Sequence, residues 1–241
     1  MTIEQGLLIA IPTYNEAENV GTLVPTLLEL HPAAHILVID DNSADGTGDV
    51  VAKLAIGDGR IHLIRRPGKL GLGSAYQAAF AWALARGYSH VSVMDADFSH
   101  APAQLGRLLD AAGSADVVVG SRYVAGGRIE NWPLPRLALS RAANVAARMV
   151  AGSAVRDWTA GFKCYAAPVL KSLEADPISS EGYSFQIEIL FRCRRAGFTI
   201  REVPITFIDR RAGESKMSRA EVYQAARTLL RLAWQRITSP A

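Results

Sequence analysis

Cysteine is scarce: only Cys164 and Cys193 occur in 241 residues, and they form no CxxC pair. A disulfide framework or thiolate zinc site is therefore not expected, both thiols read as buried small hydrophobes, and a reducing, cytosolic setting fits. The five histidines, His31, His35, His62, His90 and His100, are scattered along the chain. Long apolar runs are also missing. A spanning helix needs about 18 uninterrupted apolar residues, and the best candidate, Leu137 to Val155, is broken by Arg141 and Arg148. The start, Met1-Thr2-Ile3-Glu4-Gln5, lacks the basic and apolar regions of a secretion signal. The chain is accordingly expected not to cross a membrane. A large charge excess is absent too: the net charge of +3 mildly favours anionic partners and is too small to argue for nucleic acid. With 49% hydrophobic and 20% charged residues, the composition excludes disorder and allows a core without staples.

What is present is an alternation. Short Val- and Ile-rich runs at Leu7–Ile11, Ile36–Ile39, Ile61–Ile64, His90–Met94 and Asp116–Val119 are apolar on both faces. Strands covered on two sides read this way. Helix-period stretches lie between them near Ala17–Glu29, Asp49–Ala55, Ser74–Arg86 and Pro102–Ala112, the third stopping at Gly87. Strand and helix in series imply right-handed crossovers and a mostly parallel sheet. After Gly120 the pattern changes. The segment Ala125–Pro135 reads as a loop, Arg136–Val150 and Ser184–Arg195 as helices, Thr199–Thr206 as a strand, Asp209–Lys216 as a polar loop and Arg219–Ile237 as a last helix. No internal repeat or linker interrupts this, so one α/β domain with a C-terminal helical extension is expected.

Ligands of such sheets bind beyond the carboxyl ends of the strands. Three strands here run into polar clusters at that end: Pro12-Thr13-Tyr14-Asn15-Glu16, Asp40-Asp41-Asn42-Ser43 and Asp95-Ala96-Asp97. On an extended strand residues i and i+2 share a face, so Asp95 and Asp97 can converge on one hard cation such as Mg²⁺ or Mn²⁺. The plainer alternative is two solvated acids in a turn. Of Asp40 and Asp41, one can hold a base or ribose while the other caps the turn that Asn42, Ser43, Asp45 and Gly46 predict, with Asp41 preferred for the ligand. Gly71-Leu72-Gly73-Ser74 suggests a dinucleotide fingerprint only superficially, because Tyr76 stands where a glycine is needed, and a short turn feeding a helix suffices.

These clusters, with Val38-Ile39-Asp40-Asp41-Asn42-Ser43-Ala44-Asp45-Gly46-Thr47, Gly71-Leu72-Gly73, Gly120-Ser121-Arg122-Tyr123 and Gly213-Glu214-Ser215-Lys216, resemble the motifs of the dolichol-phosphate mannosyltransferases, in family order from Ile11 to Met217. Those enzymes belong to the inverting glycosyltransferases with the GT-A fold. The resemblance implies a GT-A catalytic domain over residues 1–217 and an amphipathic helix over 218–241. It implies that Pro12, Tyr14 and Glu16 line the nucleotide pocket and that Ile39 and Asp41 face base and ribose. Asp95 and Asp97 handle metal and diphosphate, with a backbone contact from Ala96. Arg210 and Lys216 close over the donor diphosphate, while Arg122, Arg136 and Ser140 receive the lipid phosphate. Asp95, Asp97, Arg122, Arg210 and Lys216 form the implied catalytic set. The position two after the second aspartate, often Gln in the family, also reaches the cation; here it is Ser99, whose side chain is shorter.

The implied reaction moves mannose from GDP-mannose to a polyprenyl or dolichyl phosphate with Mg²⁺ or Mn²⁺. The implied location is peripheral, at the cytoplasmic face of a membrane, with a separate membrane-anchoring subunit as a further partner. Two alternatives stand beside it: a sibling that uses a UDP-sugar such as UDP-glucose, and a non-catalytic subunit that only binds nucleotide-sugar. In the final helix Val222, Ala226, Leu229, Leu230, Ala233, Trp234 and Ile237 recur at helical spacing, with Arg219, Arg227, Arg231 and Arg236 largely off the stripe. That pattern suits an interfacial helix or one packed on the domain.

Overall fold

The computed structural model describes residues 3–175, 178, 180, 182–209 and 219–238. Its centre is a seven-stranded sheet. The strands, in chain order, are β1 (Leu7–Thr13), β2 (His35–Asp40), β3 (Ile61–Arg65), β4 (His90–Val93), β5 (Val117–Ser121), β7 (Lys163–Ala166) and β8 (Ile200–Pro204). Their spatial order is β3-β2-β1-β4-β7-β5-β8. All pairings are parallel except those of β7, which runs antiparallel to both β4 and β5. Short strands β6 (Arg128–Glu130) and β9 (Thr206–Ile208) pair in a separate parallel ribbon.

Period-two alternation with both faces apolar explains why the sheet is sandwiched. Leu8, Ala10, Leu37, Ile39, Val91, Val93, Val117 and Val119 point to one side. There they meet Ala75, Tyr76, Ala79 and Phe80 of α3 (Leu72–Ala85) and Phe185, Ile189 and Leu190 of α7 (Gly182–Arg195). Leu7, Ile9, Ile11, Ile36, Val38 and Val118 point to the other. They meet α1 (Ala17–Leu30), α2 (Thr47–Gly57) and α4 (Leu105–Ala112). Gly71 begins α3 at φ +91, a backbone that suits glycine. At Gly73 a Cβ would lie 2.8 Å from the Phe185 ring, so close approach of α3 to α7 requires glycine there. The GxG pair thus belongs to a turn and a helix contact.

Beyond α5 (Leu134–Ala151) and α6 (Ala167–Ala175), the last helix, α8 (Arg219–Thr238), packs on α5 and α7. Its inner face is Thr228, Leu229 and Leu232. Two arginines fasten it. Arg231 reaches the buried carboxylate of Glu188, which also takes Arg192 at 2.6 Å. Arg236 donates to the carbonyls of Met149 and Val150 at 3.1 and 2.9 Å, covering the end of α5. Tyr223, Leu230, Trp234 and Ile237 remain exposed. The single apolar stripe expected from the sequence is therefore divided between a packed edge and a solvent-facing one. No helix among the described residues is long and apolar enough to cross a membrane.

Four details differ from the sequence expectation. The segment 125–135 contains β6 rather than only loop. The expected strand Thr199–Thr206 breaks at Ile205 and serves two sheets as β8 and β9. Strand β7, four residues beginning with a lysine, carries too little pattern to be recognised, and α6 follows it directly. The expected helix Pro102–Ala112 opens with a 3-10 turn, Pro102–Gln104.

Both cysteines lie in the core, and burial pushes each thiol up to about 12. Alkylation needs the thiolate and access. Iodoacetamide at pH 8 should leave both unmodified in the native protein and label both in denaturant; native labelling of either, read by mass spectrometry, contradicts this packing.

Candidate active site

The ends of β2, β1 and β4 lie side by side, which brings the three polar clusters to one rim. Pro12 pairs with Ile39, Thr13 with Asp40, and Asp41 N donates to Thr13 O at 3.0 Å. The loops after β1 and β2 are then tied to each other. Asn15 and Asn42 both take φ +58, a region asparagine tolerates. Asn15 N donates to Ser43 Oγ at 2.8 Å, Ala44 N to Asn15 Oδ1 at 3.0 Å, and Glu16 N to Thr47 Oγ1 at 2.9 Å.

The two adjacent aspartates divide their duties. Asp40 is the inward support, accepting from Ser43 Oγ at 2.5 Å and Thr13 Oγ1 at 3.3 Å. Asp41 faces the other loop. Its Oδ2 accepts from Leu70 N and Gly71 N at 3.1 Å each, and its Oδ1 lies 2.9 Å from Arg66 Nη1. Arg66 in turn donates to Ser74 Oγ at 2.5 Å, so Asp41 organises the segment entering α3. Tyr14 is exposed, with the Lys69 ammonium 4.0 Å from its ring centroid. Ile39, expected to face a base, is a correction: it is 0% exposed within the core of Leu8, Ala10 and Leu37 and presents no surface to a ligand. Strand alternation turns it inward, and it supports the rim from beneath.

Strand β4 ends at Val93, and residues 96–99 bend. The shared face of an extended strand is thus not what relates Asp95 to Asp97; a bend does. Ala96 is buried and anchors this bend, Asp97 Oδ1 accepts from Ser99 N at 3.0 Å, and the Asp95 side chain is 38% exposed. Opposite Asp95 stands Gly161, where a Cβ would lie 3.4 Å from Asp95 Oδ2. Ser99 is 1% exposed, and its Oγ has no hydrogen-bond partner. Exposed carboxylate, an adjoining space kept open by glycine and an orphaned hydroxyl suit a hard divalent cation. Among the described residues no group of three or more His, Cys, Asp or Glu gathers as a ligand set. Two carboxylates leave most of a six-coordinate shell to water and phosphate oxygens, as Mg²⁺ commonly has it.

His100 links this acid pair to a cationic one. Its Nδ1 lies 3.9 Å from Asp95 Oδ2, and its ring stacks on Phe162 and meets Phe207 edge-on at centroid distances of 5.0 and 5.3 Å. Burial, with Asp97 opposing and Arg122 assisting, lowers its pKa to about 4, so it is neutral at pH 7. Beyond Phe207, at 5.6 Å, lies the guanidinium of Arg122. Arg122 is buried and bidentate to Asp157: Nε to Oδ2 at 2.8 Å and Nη2 to Oδ1 at 2.7 Å, with a third bond from Nη2 to Thr159 Oγ1 at 2.7 Å. Burial alone raises the Asp157 carboxyl, but the charge and hydrogen bonds of Arg122 outweigh it and hold the pKa below the ordinary value.

Arg136 stacks over Trp132 at 4.1 Å and pairs with Asp209 at 2.9 Å, and Arg122 lies 5.4 Å from the same indole. Ser140 Oγ accepts from Tyr123 OH at 2.7 Å, and the Tyr123 ring lies 5.5 Å from Arg122. Arg122, Arg136 and Ser140 therefore share one neighbourhood through Trp132 and Tyr123, each already engaged. Arg210 and Lys216 lie outside the described residues.

Sequence reasoning missed Arg66, Lys69, Asp157 and Lys163. Lys163 is 0% exposed, its ammonium bonded to Gln186 Oε1 at 2.6 Å. Burial pushes its pKa down to about 7 against the attraction of Asp157. Nothing local marks Asp157 or Lys163; only the pairing of β7 with β4 and β5 brings them behind the site.

Comparison with known proteins adds the following. The sequence pattern of Glycosyl transferase family 2 matches residues 8–171. A polyprenol monophosphomannose synthase of Mycolicibacterium smegmatis is 48% identical over 223 residues, 92% of this chain and 84% of that protein. An undecaprenyl-phosphate mannosyltransferase of Micrococcus luteus is 46% identical over 219 residues, 91% and 90% of the two chains. Among solved structures, glucosyl-3-phosphoglycerate synthase from Mycobacterium tuberculosis with Mn²⁺, UDP-glucose and phosphoglyceric acid superposes with a TM-score of 0.71 at 20% identity, covering 96% and 82%. At that identity the likeness shows the fold, and the fold is the GT-A arrangement expected from the sequence.

Asp157→Ala should strand the buried Arg122 charge and cost about 3–5 kcal/mol in urea unfolding; a loss under about 1 kcal/mol contradicts the pairing. Burial holds Lys163 at about 7 in the folded chain, against 10.5 for an ordinary lysine. Between those values the unfolded chain binds more protons, so stability rises with pH: the cost of burying Lys163 is full at and below about pH 7 and fades as pH rises toward the ordinary lysine value. The stability gained by Lys163→Met should be greatest near pH 7 and shrink toward pH 10; a difference that does not vary with pH contradicts this.

Proposed function

The chain belongs to Glycosyl transferase family 2, and from that premise we propose that it moves mannose from GDP-mannose to a polyprenyl or dolichyl phosphate with inversion. One observation carries this reading most: the acid pair at the end of β4 and the arginine neighbourhood meet at His100 and Phe207. A leaving diphosphate suits the first and an attacking phosphate the second. The names of the two relatives, one a polyprenol-phosphate and one an undecaprenyl-phosphate mannose enzyme, support the acceptor class and the sugar.

On this reading Pro12, Tyr14, Glu16 and Asp41 bound the nucleotide. Asp95 and Asp97, with Ser99 as a further oxygen, hold Mg²⁺ or Mn²⁺, which when bound offsets charge on the departing diphosphate. Arg122, Arg136 and Ser140 orient the acceptor phosphate. Such a monoester is largely ionised near neutral pH, so it attacks the anomeric carbon without a strong base in the chain. Neutral His100 fits that: it takes no proton at pH 7 and stays as a packed spacer between the two charged halves. Catalysis then rests on positioning and on charge neutralisation. Arg210 and Lys216 complete the donor side. Tyr223, Leu230, Trp234 and Ile237, exposed on α8, set the enzyme against the cytoplasmic face of a membrane or an anchoring subunit there.

Asp97→Ala should abolish transfer from radiolabelled GDP-mannose to a short polyprenyl phosphate while the melting temperature stays near wild type. Chelator should do the same to the unmodified enzyme. Activity near wild type in the variant removes the acid pair from the mechanism. Equal turnover with UDP-glucose would replace the donor assignment and leave the acceptor standing.

A further inference from the structure

A cavity of about 260 Å³ opens beside α5, bounded by Tyr123, Arg141, Asn144, Val145, Arg148 and Arg156. Arg141, Asn144, Val145 and Arg148 fall at helical spacing, so one face of α5 makes its floor. The floor is rigid. Asn144 is buried, donates to Ser140 O at 2.9 Å and Thr159 Oγ1 at 3.1 Å, and accepts from Trp158 N at 2.6 Å. The three arginines differ from those of the active site. Arg122 and Arg136 each have a carboxylate, whereas the side chains of Arg141, Arg148 and Arg156 make no ion pair or hydrogen bond among the described residues. Glu202, beside Arg156, is occupied by the backbone N–H groups of Arg156 and Asp157 at 2.8 and 2.9 Å, and Asp157 is taken by Arg122.

We propose that this pocket binds the phosphate of an acidic phospholipid headgroup and so fixes how α5 lies on a bilayer. Three exposed guanidinium groups on one small pocket match a phosphate, which each can grip with paired N–H donors. The volume is below the roughly 300–1,000 Å³ of sites that enclose whole nucleotides or drug-sized ligands, so the occupant is a small anionic group. Beside the arginines, Leu139, Val145 and Met149 are exposed, and α5 contains no aspartate or glutamate. Exposed apolar side chains next to unpaired cations suit acyl chains next to phosphates. The inference shares the membrane surface with the proposed function but does not depend on sugar transfer.

The test compares the full chain with Arg141→Gln/Arg148→Gln in sedimentation with vesicles of phosphatidylcholine, with and without phosphatidylglycerol. The wild type should partition onto the acidic vesicles, and the variant should lose roughly thirty-fold, from about 1 kcal/mol of attraction for each of the two arginines. Its melting temperature and its turnover of a short, water-soluble polyprenyl phosphate should not change. Arg141→Lys/Arg148→Lys should recover part of the vesicle binding. Equal partitioning of wild type and glutamine variant overturns the proposal. So does a raised KM for the short acceptor in that variant, which would give the arginines to the acceptor phosphate, or release of the wild type from vesicles by inorganic phosphate, which would make the site one for a free anion. Vesicle binding that behaves as expected, in a protein that transfers no sugar, supports the pocket and removes the proposed function alone.

Discussion

The Arg122–Asp157 pair is the constraint around which the site is built. A guanidinium and a carboxylate, both nearly inaccessible, are tolerated in a core only because each satisfies the other. Asp157 accepts from Arg122 N as well as from its side chain, at 2.9 Å. The end of β5 is thereby bound to the turn that precedes β7. From that turn the chain passes through Gly161, which stands against Asp95, and enters the sheet antiparallel between β4 and β5. Replacing the pair by apolar residues could keep the fold but would not specify which way this turn faces. Its contribution is therefore better counted as geometry than as stability.

Strand order does the rest of the positioning. Because β2, β1 and β4 are parallel neighbours, their loops emerge at one rim and can bond to one another. Adjacent acids are then separated by direction: Asp40 turns to its own loop and Asp41 to the backbone of residues 70 and 71. Backbone donors and Arg66 satisfy the buried Asp41 carboxylate without any ligand. A rim assembled this way is organised before any ligand arrives, which lowers the ordering cost of binding.

The first half of the molecule was legible because its physics is local. Val- and Ile-rich runs with two buried faces announce covered strands, and Leu7, Ile9 and Ile11 against Leu8 and Ala10 do occupy opposite sides of the sheet. The polar endings of β1, β2 and β4 likewise pointed to one rim. What escaped was non-local. Lys163-Cys164-Tyr165-Ala166 has no alternation that distinguishes a strand, and only the gap between β4 and β5 makes it one. Ile39 was misjudged because motif order does not say which face a residue takes; strand parity does, and it sends Ile39 to the core. Asp95 and Asp97 were placed on one face by strand pleat in the sequence reading, whereas a bend begun at buried Ala96 relates them.

Residue type alone would have treated all the arginines alike, and pairing is what separates them. Arg122 and Arg136 are each neutralised by an acid at hydrogen-bond distance and stacked near Trp132. Such groups are oriented accurately, but much of their field is cancelled by the partner. They can recognise a phosphate that is already close and do little to draw one in. Exposed arginines without partners have the reverse properties, with a longer reach limited by salt screening at about 8–10 Å and less fixed geometry. On one side of α5 the chain thus presents Ser140 toward Tyr123 and Arg122. At the next residue, Arg141, and about two helical turns along, at Arg148, it presents unpaired charge. Orientation at short range and attraction at long range are placed on a single helix, so a shift in how that helix lies would alter both together.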